Sequence, residues 1–318
     1  MTPHTASPTV QQNVLPSAQY TDLIALLRAR PSDPSAPIDE LRSGYEKFAR
    51  AMRAPAAGVT VQPDTIGSIP AEIHQPENGS AGNAVLYFHG GGYGIGSLET
   101  HRSLCSALAA RSDMAVVAVD YRLAPEHPFP AAYEDALAAY TDLADSDLAS
   151  RHLAVAGDSA GGGLALATML GAVRQGLRRA DCGVLISPMT DLSVSGRSYQ
   201  TRESVDPIVS PQVARRYAAA YLAEADPRDH RASPLFADLT GLPPVHIQVG
   251  SDEVLLDDSL MLARRLRDAG SPVDLDVWPH GAHVLPFFHG QIPEAQQALE
   301  SIGGYLRGQW RPRAGSVT

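Results

Sequence analysis

The chain is 318 residues long, with 44% apolar and 19% charged residues and a formal net charge of −10. That length supports one α/β domain with an appendage better than two equal domains, and the composition is that of a soluble globular protein. The arginines are scattered without a basic stripe, which excludes nucleic acid as an expected partner, and no apolar run approaches membrane-spanning length, which argues against stable membrane insertion.

Residues 1–18 are polar and proline-dotted and are expected to be disordered; the stretch from Met1 to Tyr20 lacks the basic and apolar regions of a signal peptide. Cys105 and Cys182 are the only cysteines, each in an apolar segment expected to be buried, so a reducing, cytoplasmic setting is expected. Two helical patterns follow, Thr21 to Leu27 and Ile38 to Met52, separated by the proline-rich breaker Pro31 to Pro37. Residues 1–55 thus read as a tail with helices lying over a site, and 56–318 as the main domain. Gly58 to Gln75 reads as two strands, an antiparallel pair.

From there strands and helices alternate. Strand 84–88 runs into His89-Gly90-Gly91-Gly92-Tyr93, and a helix follows near 101–111. Successive glycines let a backbone turn its amides inward and approach a ligand without a Cβ clash; no Lys-Ser/Thr follows, so a phosphate loop is disfavoured. Strand 115–119 leads to a helix near 131–145. Strand 152–156 runs into Gly157-Asp158-Ser159-Ala160-Gly161 and then a helix of small and apolar residues near 160–175. Strand, G-x-S-x-G, helix is the arrangement that holds a serine hydroxyl up at the carboxyl edge of a sheet. Taken alone, the same letters describe an ordinary glycine-rich turn; the upstream glycine run makes Ser159 a candidate nucleophile, with the amides of Gly90, Gly91 and Ala160 as candidate donors to an oxyanion.

After strand 183–187 comes a long interruption with a helical stretch from Pro211 to Leu222, read as an insertion at about 193–230 that covers the region where α/β folds bind ligands. Strand 245–249 leads to a helix near 255–269, and strand 273–278 to a last helix near 293–307. Val-rich strands in β-then-α order predict a mostly parallel sheet with helices on both faces. An activated serine needs an imidazole base and an acid to orient it, in the chain order Ser, acid, His. Asp252 lies at the tip of strand 245–249 and is the favoured acid; Asp257 is second, Asp257 and Asp258 being explained by the start of the next helix, and Glu253 is expected to point elsewhere. After strand 273–278, His283 is favoured over His280 because a Gly-Ala step supplies the turn; His289 is expected at the surface. Asp158, Tyr93, Val284 and Leu285 are the expected substrate-pocket residues. No His or Cys spacing suggests a metal site.

With these residues placed, the chain resembles the hormone-sensitive-lipase-like family of α/β-hydrolases, its bacterial esterases, over roughly Val85 to Leu306. The resemblance rests on His89-Gly90-Gly91-Gly92, Tyr121-Arg122-Leu123-Ala124-Pro125-Glu126, Gly157-Asp158-Ser159-Ala160-Gly161, Ser187-Pro188 and the Asp252 and His283 loops. It implies an α/β-hydrolase fold with a helical cap and cofactor-free hydrolysis of small-molecule esters with short to medium acyl groups. The roles it implies are Ser159 as nucleophile, His283 as base and Asp252 as its partner. It also implies a homodimer through the edge of strand 273–278. Arg122 and Glu126 are read as structural, pairing or capping. Two departures stand out: the family's acid loop Asp-Pro-Leu-x-Asp-Glu is here Asp252 followed by Glu253-Val254-Leu255-Leu256-Asp257-Asp258, and Val284-Leu285 follows the histidine. Similarity of Gln248 to Leu256 to monoterpene lactone hydrolases makes lactone opening an alternative, and an amidase shares the same triad. A hormone receptor of this fold lacks the histidine that His283 supplies here.

Overall fold

Alternate residues of a strand point to opposite faces of its sheet, so a strand buried on both faces must be apolar throughout. The computed structural model describes residues 9–10, 16–29, 33, 35–51 and 55–310. In chain order these form β1 (Thr9–Val10), α1 (Ala18–Arg28), α2 (Ile38–Arg50), β2 (Val59–Ile66), β3 (Ile69–Pro76), β4 (Asn83–Phe88), α3 (Leu98–Ser112), β5 (Ala115–Val119), α4 (Ala131–Ala144), β6 (His152–Asp158) and α5 (Ala160–Gln175). They continue with β7 (Cys182–Ile186), α6 (Ser198–Thr201), α7 (Pro211–Leu222), β8 (Val245–Gly250), α8 (Leu256–Asp268), β9 (Val273–Trp278) and α9 (Pro293–Trp310). Of the tail expected to be disordered, residues 1–8 and 11–15 lie outside the described residues, as do Pro31, Ser32 and Pro34 of the breaker and Met52.

One sheet runs β1-β9-β8-β7-β6-β4-β5-β3-β2. The β2–β3 and β3–β5 pairs are antiparallel and every other pair is parallel. Leu86, Phe88, Val117, Val119, Leu153, Val155 and Leu185 pack on the face covered by α4, α5, α8 and α7. Val85, Tyr87, Val116, Ala118, Ala154, Ala156, Val184 and Ile186 pack on the other, with α3, α9, α1 and α2. Full burial of each large side chain contributes about 1.5–3 kcal/mol. Cys105 and Cys182 are free and buried within this second layer. The outer edge of β9, where the resemblance implies a dimer contact, is paired with β1 at Asp276 and Val277.

The N-terminal helices are fastened by polar contacts. Glu294, in the first turn of α9, accepts hydrogen bonds from the Ser17 amide (2.6 Å) and hydroxyl (3.0 Å). Tyr20 Oη donates to the His280 carbonyl at 2.5 Å. Arg42 of α2 forks onto Glu126 (2.8 and 2.7 Å) while donating to the carbonyls of Gly94 and Ala124. Between β7 and β8, the segment bearing α6 is held to α8: Asp257 accepts the Ser198 amide at 3.0 Å, and buried Asp258 accepts those of Thr190 and Asp191. Burial pushes the Asp258 carboxyl up to about 7 even against these hydrogen bonds. No described helix is long and apolar enough to cross a membrane.

Arg122 and Glu126 do not pair with each other. Glu126 takes Arg42, and Arg122 takes Asp135 in the first turns of α4, through its guanidinium (2.6 Å) and its own amide (2.9 Å). Asp135 is buried while the Arg122 side chain is 45% exposed, so water can replace the carboxylate for the guanidinium but not for the amide. Asp135→Ala is therefore expected to lower stability by about 1–3 kcal/mol, read as a fall in the midpoint of urea unfolding; an unchanged midpoint would mean that this pair does not hold the loop.

Candidate active site

The chain crosses from β6 to α5 through Ser159, whose φ of +53° and ψ of −122° lie where non-glycine residues are strained. The crossing is tight: a Cβ on Gly157 would collide with the Gly161 carbonyl, and one on Gly161 with the Phe88 carbonyl. Backbone hydrogen bonds from the Ser159 amide to Ile186 and from the Met189 amide to the Ser159 carbonyl, both 2.8 Å, clamp the turn. The hydroxyl then stands over the ends of β4, β6 and β7.

His283 meets it there. Its Nε2 lies 3.0 Å from Ser159 Oγ, and its Nδ1 lies 2.8 Å from Oε2 of Glu253. Glu253, expected to point elsewhere, is the acid that faces the imidazole, and Asp252 is not. The reason is the turn after β8. The Asp252 amide donates to the Gly281 carbonyl, and its side chain leaves outward, accepting from the Ser251 hydroxyl and lying 3.9 Å from His280. One residue on, Glu253 folds back inward. Its Oε1 accepts the Gly250 amide (2.5 Å) and the Ser187 hydroxyl (2.7 Å), and its longer side chain delivers Oε2 to His283. Asp252 is 28% exposed, Glu253 not at all. Ser187 also accepts the Val284 amide at 3.0 Å, so one hydroxyl ties the acid to the histidine loop. Asp257 is engaged with Ser198, and His280 is exposed, away from the serine. His289, expected at the surface, is buried.

Burial alone would push the His283 imidazolium down. The hydrogen bond and charge of Glu253, with Asp206 and Asp158 beyond, outweigh it and leave the group above its ordinary value.

The glycine loop after β4 departs from expectation at one amide. Gly90 N–H donates to Asp158 Oδ1 at 3.0 Å and also faces His101 Nε2 at 3.4 Å, so it is not available to a substrate. The amides of Gly91 and Gly92 have no hydrogen-bond acceptor among the described residues, nor has that of Ala160 at the start of α5. Gly91 and Gly92 have φ of +118° and +62°, and a Cβ would strike Ile95 from the first and the Tyr217 ring from the second. Gly92, unassigned from sequence, thus presents an amide without an acceptor among the described residues, as Gly90 does not.

A cavity of about 690 Å³ opens over Ser159 and His283. Its walls include Leu26 and Leu27 of α1, Leu41 and Phe48 of α2, Ile208 and Val209, Val213 and Tyr217 of α7, and Phe287 and Phe288. Of the expected pocket residues, Asp158 and Val284 line it, but Tyr93 and Leu285 do not. Tyr93 is buried flat against Tyr221, ring centroids 3.8 Å apart, and Leu285 packs into the layer under α9. Among the described residues no group of three or more His, Cys, Asp or Glu is arranged to hold a metal ion.

A family model described as the alpha/beta hydrolase fold matches residues 85–287. An acetyl-hydrolase of Streptomyces hygroscopicus is 44% identical over 243 residues, 76% of this chain and 81% of that protein. An ethyl acetate hydrolase of Pseudomonas putida is 34% identical over 284 residues, 83% of this chain and 88% of that protein. Among solved structures, an esterase from the bacterial hormone-sensitive lipase family superposes with a TM-score of 0.89 at 38% identity, covering 93% of this chain and 99% of its own.

The two neighbouring carboxylates make opposite forecasts for the imidazole. Glu253→Gln removes the charge that raises His283 and leaves its burial, so the imidazole's titration midpoint, followed by NMR, is expected to move down. Asp252→Asn is expected to leave that midpoint in place. The reverse result would return the acid to Asp252.

Proposed function

The chain belongs to the α/β-hydrolase family, among the bacterial esterases of hormone-sensitive-lipase type, and is a carboxylic ester hydrolase; from that premise we propose that it cleaves short-to-medium acyl esters through Ser159, His283 and Glu253 by way of an acyl-enzyme. The observation that carries this reading is the unbroken line from Glu253 Oε2 through the imidazole to Ser159 Oγ, at 2.8 and 3.0 Å. Relatives named acetyl-hydrolase and ethyl acetate hydrolase support the short acyl group.

In the first half-reaction Ser159 Oγ attacks the ester carbonyl while His283 Nε2 takes its proton. Glu253 holds Nδ1–H, fixing the tautomer and stabilising the imidazolium that forms. The carbonyl π pair moves onto oxygen, where the amides of Gly91, Gly92 and Ala160 receive the charge. Loss of one such donor costs ~3 kcal/mol of barrier, about a hundredfold in rate. As the tetrahedral intermediate collapses, His283 returns the proton to the departing alcohol. Water then attacks the acyl-enzyme by the same path and restores Ser159. Helices α1, α2 and α7 serve as the cap: their apolar side chains take up the ester's hydrocarbon and keep bulk water from the serine.

The imidazole must be neutral to accept the proton, and its pKa is raised. Activity is therefore lost as pH falls through that raised value, and the acid limb of kcat/KM is expected above the ordinary histidine value of about 6.5. A p-nitrophenyl ester series from acetate to decanoate, with a δ-lactone and Ser159→Ala alongside, tests the reading. Serine-dependent turnover strongest at short chains is expected. Turnover that survives Ser159→Ala would remove the proposed nucleophile, and turnover confined to the lactone would replace the open-chain substrate.

A further inference from the structure

We propose that Asp158 is a positioning residue that clamps both ends of the oxyanion loop and so aims the Gly91 and Gly92 amides at the reacting carbonyl. The inference rests on the acyl-transfer reading above. Residues 89–97 leave β4 and enter α3, carrying their donors over the cavity between two fixed ends. At the first end, Asp158 Oδ1 takes the Gly90 amide at 3.0 Å and the Tyr87 hydroxyl at 2.8 Å. At the second, Asp158 Oδ2 lies 3.3 Å from Nε2 of His101, in the first turns of α3. His101 is itself held, its Nδ1 being 2.8 Å from the Thr100 hydroxyl, which belongs to the capping box with Ser97. One carboxylate therefore grips the loop where it starts and just beyond where it stops.

The fit is close. A Cβ on Gly90 would collide with Asp158 Oδ2, so the loop backbone rests directly on the carboxylate. Tyr87, His101 and Asp158 are all buried, and a buried carboxylate is stable only when donors surround it. Burial raises the Asp158 carboxyl, but His101, Tyr87 and His89 together hold it below its ordinary value, so it remains an acceptor. Asp158 also immediately precedes Ser159 in the chain. Nucleophile and oxyanion donors are thereby referenced to a single rigid point, and a shift in one is followed by the other.

The role differs from general support of the fold in what it should alter. A trifluoromethyl ketone gives the direct readout: Ser159 Oγ bonds to its carbonyl carbon, the π pair moves onto oxygen, and the proton passes to His283, leaving an oxyanion that depends on those donors. Asp158→Ala is expected to lower kcat about a hundredfold and to weaken the ketone by a similar factor. KM should stay where it is, and the acid limb set by His283 should move down only by the part that the Asp158 charge adds to that of Glu253. Asp158→Asn keeps an oxygen for the Gly90 amide and is expected within about tenfold of wild type. Equal ketone affinity in wild type and Asp158→Ala would overturn the proposal while leaving the nucleophile intact, whereas a wild type that the ketone does not inhibit would overturn both readings. Should Asp158→Ala fail to fold, Asp158→Ser, too short to reach Gly90, replaces it. Ser and Asn variants with the same ketone affinity would then count against the clamp, and a large gap in favour of Asn would support it.

Discussion

A serine held at positive φ is strained by roughly 1–3 kcal/mol, and the surroundings of Ser159 make that conformation the only one available. The backbone of α5 presses against the end of β4 so closely at Gly161 that no side chain fits. The turn is also pinned to β7 through Ile186. Because β6 lies between β4 and β7 in the middle of the sheet, this packing cannot relax without parting central strands. Everything else at the site is arranged around that fixed hydroxyl. Five adjacent parallel strands each bring one component to their carboxyl ends: the glycine loop after β4, the serine after β6, Ser187 after β7, Glu253 after β8 and His283 after β9. This is the edge at which open α/β sheets bind ligands, and it explains how residues scattered along two hundred positions converge.

Much of this is legible in the sequence because it depends on backbone patterns. Fully apolar strands, breaker residues and a glycine run announce themselves, and the bounds of β5, α5, α7 and β9 agree with the periodicity. Ser159 and His283 are legible because each follows a strand at a distance that the turn can span. Which of two adjacent carboxylates faces inward is not legible in the same way, since it depends on the direction of a turn whose Asp252 amide is held by Gly281, 29 positions on. A signal existed nonetheless. Leu255 and Asp257 stand two and four residues beyond Glu253, as the leucine and second aspartate do beyond the acid in the family's Asp-Pro-Leu-x-Asp loop. Reading the frame one residue later would have selected Glu253. The engagement of the Gly90 amide is illegible for a related reason: the side chain that claims it belongs to Asp158, on another strand.

The polar and apolar halves of the site obey different physics. Around Glu253 and Asp158 nearly every donor and acceptor has a partner, which fixes geometry at the cost of tolerating no substitution lightly. Above them the cavity is walled by aliphatic and aromatic side chains from α1, α2 and α7, whose attraction for a ligand is nondirectional. In the proposed reaction the lower half would carry the chemistry and the upper half would select the size and apolarity of what reaches it. Tyr20 joins the two, since its hydroxyl holds the His280 carbonyl three residues before His283.

The joining of segments far apart in the sequence has a temporal consequence. β1 finds its partner at Asp276 and Val277, and the Ser17 cap of α1 finds its partner at Glu294. The Ser17–Glu294 contact spans 277 positions, so α1 is made long before the partner that seats it. Contacts of such long sequence separation form slowly, so α1 is expected to dock late, and with it the hydrogen bond that Tyr20 makes to the histidine loop.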